Sequence, residues 1–201
     1  MKLHRQDGLP DNPDFEPRAE DGWHPLPEPP AEKLQVYVLV PLALSLPVMI
    51  AAWALAAQLA GGAGFSLGVI GLVVFLLGIP VLVVVHEAIH LLLHPGSGRH
   101  AHSVLGASSK HGIVYALYFG EMTRMRYVAI LLGPFIVLSV LPLLWCLATR
   151  TFSGWAAAVS LLNTAFACGD LLATWLILRG SPPGARMRNR GYYTWWRLPA
   201  A

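Results

Sequence analysis

Charge is scarce in this chain, cysteine scarcer still, and acidic residues nearly vanish beyond residue 33. Only 12% of the 201 residues are charged while 55% are apolar, and mean hydropathy is +0.55. A water-soluble globule carries about twice that share of charge, so that class is excluded. The two cysteines, Cys146 and Cys168, both fall inside apolar runs, which excludes a disulfide framework and leaves them as small packing residues. No Lys/Arg cluster stands beside a soluble aromatic platform, so nucleic acid is not an expected partner. The chain starts acidic and Pro-rich instead of basic and then apolar, and no cleavable signal peptide is expected.

What charge there is has been sorted. Residues 1–33 carry a net −4, and the remainder carries +7 with only Glu87, Glu121 and Asp170 as acids. Four apolar stretches, about 34–60, 66–94, 127–148 and 154–178, each reach the roughly 20 residues that a helix needs to cross a bilayer. The class expected is therefore an all-α polytopic membrane protein with four transmembrane helices. Lys and Arg fall thirteen to one on alternate sides of those crossings, so both termini and the 95–126 loop are expected in the cytoplasm. Residues 1–33 read as a disordered, acidic, Pro-rich cytoplasmic tail. Residues 179–201, where Arg186, Arg188 and Arg190 precede Tyr192, Tyr193, Trp195 and Trp196, read as a basic aromatic anchor at the surface of an anionic bilayer. Within the 95–126 loop, Ser103 to Lys110 and Ile113 to Phe119 flank His111-Gly112 and can form a small β-hairpin.

The second stretch contains His86-Glu87-Ala88-Ile89-His90. Residues i and i+4 share a helix face, so two imidazoles there can bind one zinc ion while the adjacent Glu reaches its water. Membrane context sharpens the pattern, because a carboxylate near the centre of a spanning helix costs roughly 2.5–3.5 kcal/mol. Structural zinc sites in peptides release on the order of 10–16 kcal/mol, enough to offset that cost. Catalytic zinc usually has three protein ligands and an open position, and Asp170 is the other acid inside an apolar stretch. His86 and His90 lie nine and five residues before Pro95, and Asp170 lies nine before Arg179. At ~1.5 Å per residue all three sit some 8–14 Å from the cytoplasmic helix ends, so a shared site is feasible. Asn163, seven residues before Asp170, can face the same neighbour and orient water or donate to a developing oxyanion.

The other polar residues have plainer readings. His94 abuts Pro95 and is expected at the surface; His100, His102 and His111 are loop histidines; Glu121 is a surface charge beside Arg124 and Arg126. Cys168 lies two residues from Asp170, on the opposite helix face. A bis-histidine haem needs imidazoles from opposite sides of the ring, whereas the intramembrane histidines lie on one helix. Serine-type proteolysis lacks an intramembrane Ser with a His on another helix. A helix–helix polar contact without metal, a zinc-binding regulator without proteolysis and a divalent-metal transporter stay open as alternatives.

His86-Glu87-Ala88-Ile89-His90, then Arg126 to Phe135 with its Leu132-Gly133-Pro134, then Asn163 through Gly169-Asp170, resemble the bacterial putative zincin peptidases of the site-2 protease type over about residues 75–190. The resemblance implies a zinc-dependent intramembrane metalloprotease in a bacterial plasma membrane, with His86, His90 and Asp170 as ligands, Glu87 as general base and a transmembrane protein or peptide as substrate. Asn163 matches the polar residue ahead of the aspartate. Two departures bear on substrate type: Thr164 stands where the best-known members have Pro, and Gly169 precedes Asp170 where they have Gly following. The chain resembles a four-helix core without added periplasmic domains.

Overall fold

The computed structural model describes residues 2–5, 11–62, 68–108 and 113–199. Its first apolar helix comprises a short turn α1 (Leu34–Tyr37) and α2 (Leu39–Leu59). The second is α3 (Val69–Leu93); the start expected near residue 66 lies outside the described residues. The third begins at Arg124 and runs as α4 (Arg124–Phe135), a π-helical turn at Ile136–Val140, and α5 (Leu141–Thr149). The fourth is broken into α6 (Gly154–Phe166) and α7 (Cys168–Gly180), which meet at 51°. Among the described residues, three helices are long and apolar enough to cross a membrane, and a fourth if the bent pair is one span. Their outer faces are apolar and open, with Val69 81%, Leu77 71% and Trp145 70% exposed, a pattern compatible with lipid contact.

The fold is not all-α. Strands β3 (Ser103–Ser108) and β4 (Ile113–Tyr118) pair antiparallel, with Val104 opposite Leu117 and Gly106 opposite Tyr115, as the loop's composition led one to expect. His111 lies outside the described residues. β1 (Lys2–Arg5) adds in parallel to β3, so β4 is an outer strand of its sheet. A second sheet has the order β2-β7-β6-β5 and joins β2 (His24–Pro25), β5 (Met122–Thr123), β6 (Arg186–Arg190) and β7 (Tyr193–Arg197). Along β6, Met187 and Asn189 are buried between Arg186, Arg188 and Arg190, the period-two alternation of a half-buried strand.

Residues 11–33 do not behave as a disordered tail. Phe15, Trp23 and Leu26 are buried, and the Arg188 and Arg197 guanidiniums stack over the Phe15 and Trp23 rings at 4.5 and 4.7 Å. Asn12 donates to the carbonyls of Phe119 and Asn189 at 3.3 and 3.0 Å. Three apolar anchors thus outweigh a composition that speaks for disorder, and the prolines already hold the backbone extended. The contact is close: a Cβ on Gly180 would stand 2.8 Å from Pro27 Cδ and 2.9 Å from Leu26 Cδ1. The same stacking turns two of the C-terminal arginines inward, onto the chain itself.

Two buried clusters hold the helices. Met49, Trp53 and Ala56 of α2 pack on Leu143, Cys146 and Ala157. Val128 and Ile130 of α4 pack on Ile177 of α7 together with Leu26, Met122 and Met187, which ties the helices to the second sheet. α3 crosses α4 at Gly133, where any Cβ would overlap the Leu93 side chain. That crossing brings the His-Glu-x-x-His turn against α4.

Candidate metal centre

In the chain's middle, three electron-pair donors converge. His86 Nε2 lies 3.1 Å from Asp170 Oδ2, His90 Nε2 lies 3.3 Å from the same oxygen, and the two Nε2 atoms are 3.2 Å apart. The histidines come from one face of α3 and the aspartate from the first turn of α7, so the three residues that the depth argument placed at one level do converge. Both imidazoles are buried and Asp170 nearly so.

The far side of each ring fixes its tautomer. His86 Nδ1 meets Asn163 Oδ1 at 2.9 Å, and His90 Nδ1 meets the Ile130 carbonyl at 2.9 Å. Both partners are acceptors only, so each Nδ1 is the N–H donor and each neutral ring turns its Nε2 lone pair toward the triangle. Two lone pairs and a carboxylate oxygen facing one another at these distances call for a cation among them, either a proton on Nε2 donating to Asp170 Oδ2 or a metal ion. Ligands held about 2.0–2.1 Å from a tetrahedral zinc ion stand ~3.3 Å apart, which is the edge of this triangle. The donor set fits zinc, and the Nδ1 hydrogen bonds are the usual outer support of metal-binding histidines.

Pro134 explains the His90 contact. It has no N–H to give to Ile130, its partner four residues back in the helix, and the imidazole takes that carbonyl instead. Asn163 is fully buried and fully used: its amide nitrogen donates to the Pro134 carbonyl at 3.1 Å and to Ser139 Oγ at 2.9 Å. It has no donor left for an oxyanion. Of the roles the sequence allowed Asn163, these contacts match the orienting one, with its oxygen on His86 Nδ1 and its amide on the third span.

Glu87 faces a different space. It lines a cavity of about 150 Å³ with His90, Asp170, Tyr118, Tyr127 and the β4 backbone, and the Ala116 backbone hydrogen-bonds its carboxylate. His86, Glu87 and His90 offer atoms within 4.8 Å of one another, a group able to hold a metal ion. His94, expected at the surface, is 1% exposed, lines the same cavity and has an Nδ1 without a partner. Its ring packs on Tyr118.

The remaining expectations divide. Cys168 turns its thiol to the Thr164 carbonyl at 3.3 Å, outside the triangle. His100 and His102 stack on each other beside Tyr118 and contribute nothing to the triangle. Glu121 pairs with Arg197 at 2.7 Å, not with Arg124 or Arg126. Those two arginines instead reach the Leu178 and Leu93 carbonyls at 2.8 and 3.1 Å, placing cations at the C-terminal ends of α7 and α3, where the helix dipole favours them. Each helix that contributes to the triangle is thereby tied to α4. Sequence reasoning missed these ties, and also missed Ile130, Ser139 and His94.

No curated protein and no solved structure matches the chain. Residues 79–185, which run from mid-α3 past Asp170 to the edge of β6 and include every residue of the triangle and its supports, match the model of a family described as putative zincin peptidase. With over half of its length matched, the chain belongs to the putative zincin peptidase family.

Proposed function

We propose that this protein is a zinc-dependent intramembrane metallopeptidase of the site-2 type, in which His86, His90 and Asp170 hold the metal and Glu87 is the general base. The observation that carries the reading is the metal-sized triangle inside long apolar helices, with a carboxylate at the rim of an adjoining cavity. Zinc held there supplies a Lewis acid and lowers the pKa of water. Glu87 takes the proton as water oxygen adds to the peptide carbonyl carbon, then delivers it to the amide nitrogen as the C–N bond breaks. Met122, Ile130, Leu131 and the Tyr118 and Tyr127 rings line part of the cavity wall, which suits a membrane-embedded segment. The outer edge of β4 lies beside Glu87, and a substrate unwound into an extended strand can pair with it. His94 Nδ1, buried and unpartnered, offers such a peptide a hydrogen bond. The thirteen-to-one charge asymmetry supports cleavage near the cytoplasmic face with both termini on that side.

The test is the metal content of detergent-purified protein. One zinc per chain is expected in the wild type and in Glu87→Gln, with loss in Asp170→Ala and no cleavage by Glu87→Gln. Zinc retained in Asp170→Ala, or no metal in any of the three after refilling, sinks the ligand assignment. Zinc bound as expected, but no cleavage of any membrane segment by the wild type, favours a zinc-binding regulator.

A further inference from the structure

One span that contributes no ligand aims both histidines of the triangle, His90 directly and His86 through Asn163 of α6, and it does so where it departs from α geometry. The first departure is at Pro134, whose missing N–H leaves the Ile130 carbonyl to His90 Nδ1 at 2.9 Å. The second is the π-helical turn Ile136–Val140. Pro142 has no amide hydrogen to give to Leu138, and the ladder widens just before it. Single π turns inside α-helices are rare and concentrate at functional sites. This one holds Ser139 in a fully buried position between α4 and α6. There Ser139 Oγ donates to the Ser160 carbonyl at 2.9 Å and accepts from Asn163 Nδ2 at 2.9 Å, while Ser160 Oγ donates back to the Ser139 carbonyl at 3.0 Å. Trp53 Nε1 donates to Ser160 Oγ at 2.9 Å, which carries the connection on to α2.

The Asn163 side chain can turn over by exchanging its oxygen and nitrogen. Turned over, it would present N–H groups to the His86 Nδ1–H and break the contact. Two acceptors on one side, the Pro134 carbonyl and Ser139 Oγ, hold the amide the right way round. Ser139 Oγ is an acceptor toward Asn163 because its own hydrogen is committed to the Ser160 carbonyl. The polarity of the whole row is thereby set, ending at the His86 Nε2 lone pair.

We propose that the interrupted ladder of the third span sets the metal affinity of the centre: Pro134 frees the carbonyl that orients His90, and the π turn carries the Ser139 hydroxyl that orients Asn163 and through it His86. Pro134 and Ser139 are positioning residues, and the inference rests on the ligand assignment proposed above. Loss of an outer support of this kind lowers metal affinity about 10–100-fold.

The experiment is competition of the full-length protein in detergent against a chromophoric chelator for Zn2+, repeated with Co2+ so that the visible absorption of the bound ion reports ligand geometry. Ser139→Ala and Pro134→Ala are each expected to weaken zinc at least ten-fold and to alter the cobalt spectrum. The proline variant is the sharper arm, since it restores a helix hydrogen bond and yet is expected to bind metal less well. Thr164→Ala is the control. Its hydroxyl is equally buried on α6 and shares the Ser160 carbonyl with Ser139, at 2.8 Å, but it makes no bond to Asn163 or His86, and affinity is expected to stay within two-fold of wild type. Ser139→Ala holding wild-type affinity and spectrum overturns the proposal, and so does Thr164→Ala falling as far as Ser139→Ala. A wild type that binds neither ion overturns the ligand assignment instead, which keeps the two failures apart.

Discussion

The clasp between the N-terminal segment and the C-terminal hairpin is expected to loosen as pH rises, with one carboxylate responsible. Glu28 accepts from the Thr194 amide at 2.6 Å and from the Thr194 hydroxyl at 2.7 Å. Burial nevertheless outweighs both bonds and raises Glu28 from 4.5 to about 7. In an opened clasp the carboxyl titrates at its ordinary value, so between the two values the closed form holds a proton that the open form has released. Raising the pH through this window therefore favours opening. The stabilisation is complete below pH 4.5 and lost above about 7. At about 1.4 kcal/mol per unit, the change is on the order of 3 kcal/mol. Hydrogen exchange at the Thr194 amide, corrected for intrinsic base catalysis, reads the opening free energy directly, since local opening exchanges that amide without global unfolding. Wild type is expected to lose protection from pH 5 to pH 8, whereas Glu28→Gln, which cannot ionise, holds level. A variant with the wild-type slope, or protection that grows with pH, would refute the reasoning.

Asn12→Ala leaves the Phe119 and Asn189 carbonyls without their shared donor and is expected to cost ~1–3 kcal/mol, read as faster proteolysis of the N-terminal segment. Gly133→Ala displaces only the end of the Leu93 side chain, a rotamer change costing about 1 kcal/mol. Gly133→Leu forces α3 off α4, with loss of the His90 contact to Ile130 and of bound metal. His94→Leu keeps its zinc and, on the proposed reading, raises KM for a membrane-embedded peptide more than it lowers kcat; loss of zinc would instead make His94 a ligand. Trp53→Phe removes one donor at the far end of the Ser160 connection, and metal affinity is expected to stay near wild type because Ser160 and Ser139 still bond each other.

The spans and the triangle were legible because they follow from length and period alone. Apolar runs set the helices within about three residues at the ends described, a four-residue spacing set the two histidines on one face, and equal depth found Asp170. The bend between α6 and α7 has no proline to announce it. It falls where Thr164 and Cys168 both turn their side chains back onto carbonyls four residues earlier, a habit that bends helices. Residues 11–33 misled because composition averages over position. Their charge and proline content speak for disorder, but Phe15, Trp23 and Leu26 act singly, and the surface that buries them is drawn from distant residues such as Met122, Val128, Met187, Arg188 and Arg197. The β6 alternation was present in Arg186-Met187-Arg188-Asn189-Arg190, hidden by reading the arginines as a cluster of charge.

Asn163 shows where sequence reasoning stops. Its residue type allowed an oxyanion donor or an orienting group, and nothing within α6 chooses between them. The choice depends on which acceptors a neighbouring helix leaves open. Prolines in a spanning helix announce that carbonyls four residues earlier lose their donor, and in a hydrocarbon medium each such carbonyl must find another. Ile130 finds His90, and the Pro134 carbonyl and Ser139 hydroxyl together take the Asn163 amide. A regular α-helix in this place would have closed its own bonds, leaving His90 without the Ile130 carbonyl and the Asn163 amide, which holds His86, without the Pro134 carbonyl. An interrupted helix is ordinarily a weakness; here the interruption supplies acceptors that fix the His90 ring directly and the His86 ring through Asn163, and His90 in turn satisfies the Ile130 carbonyl that Pro134 leaves open.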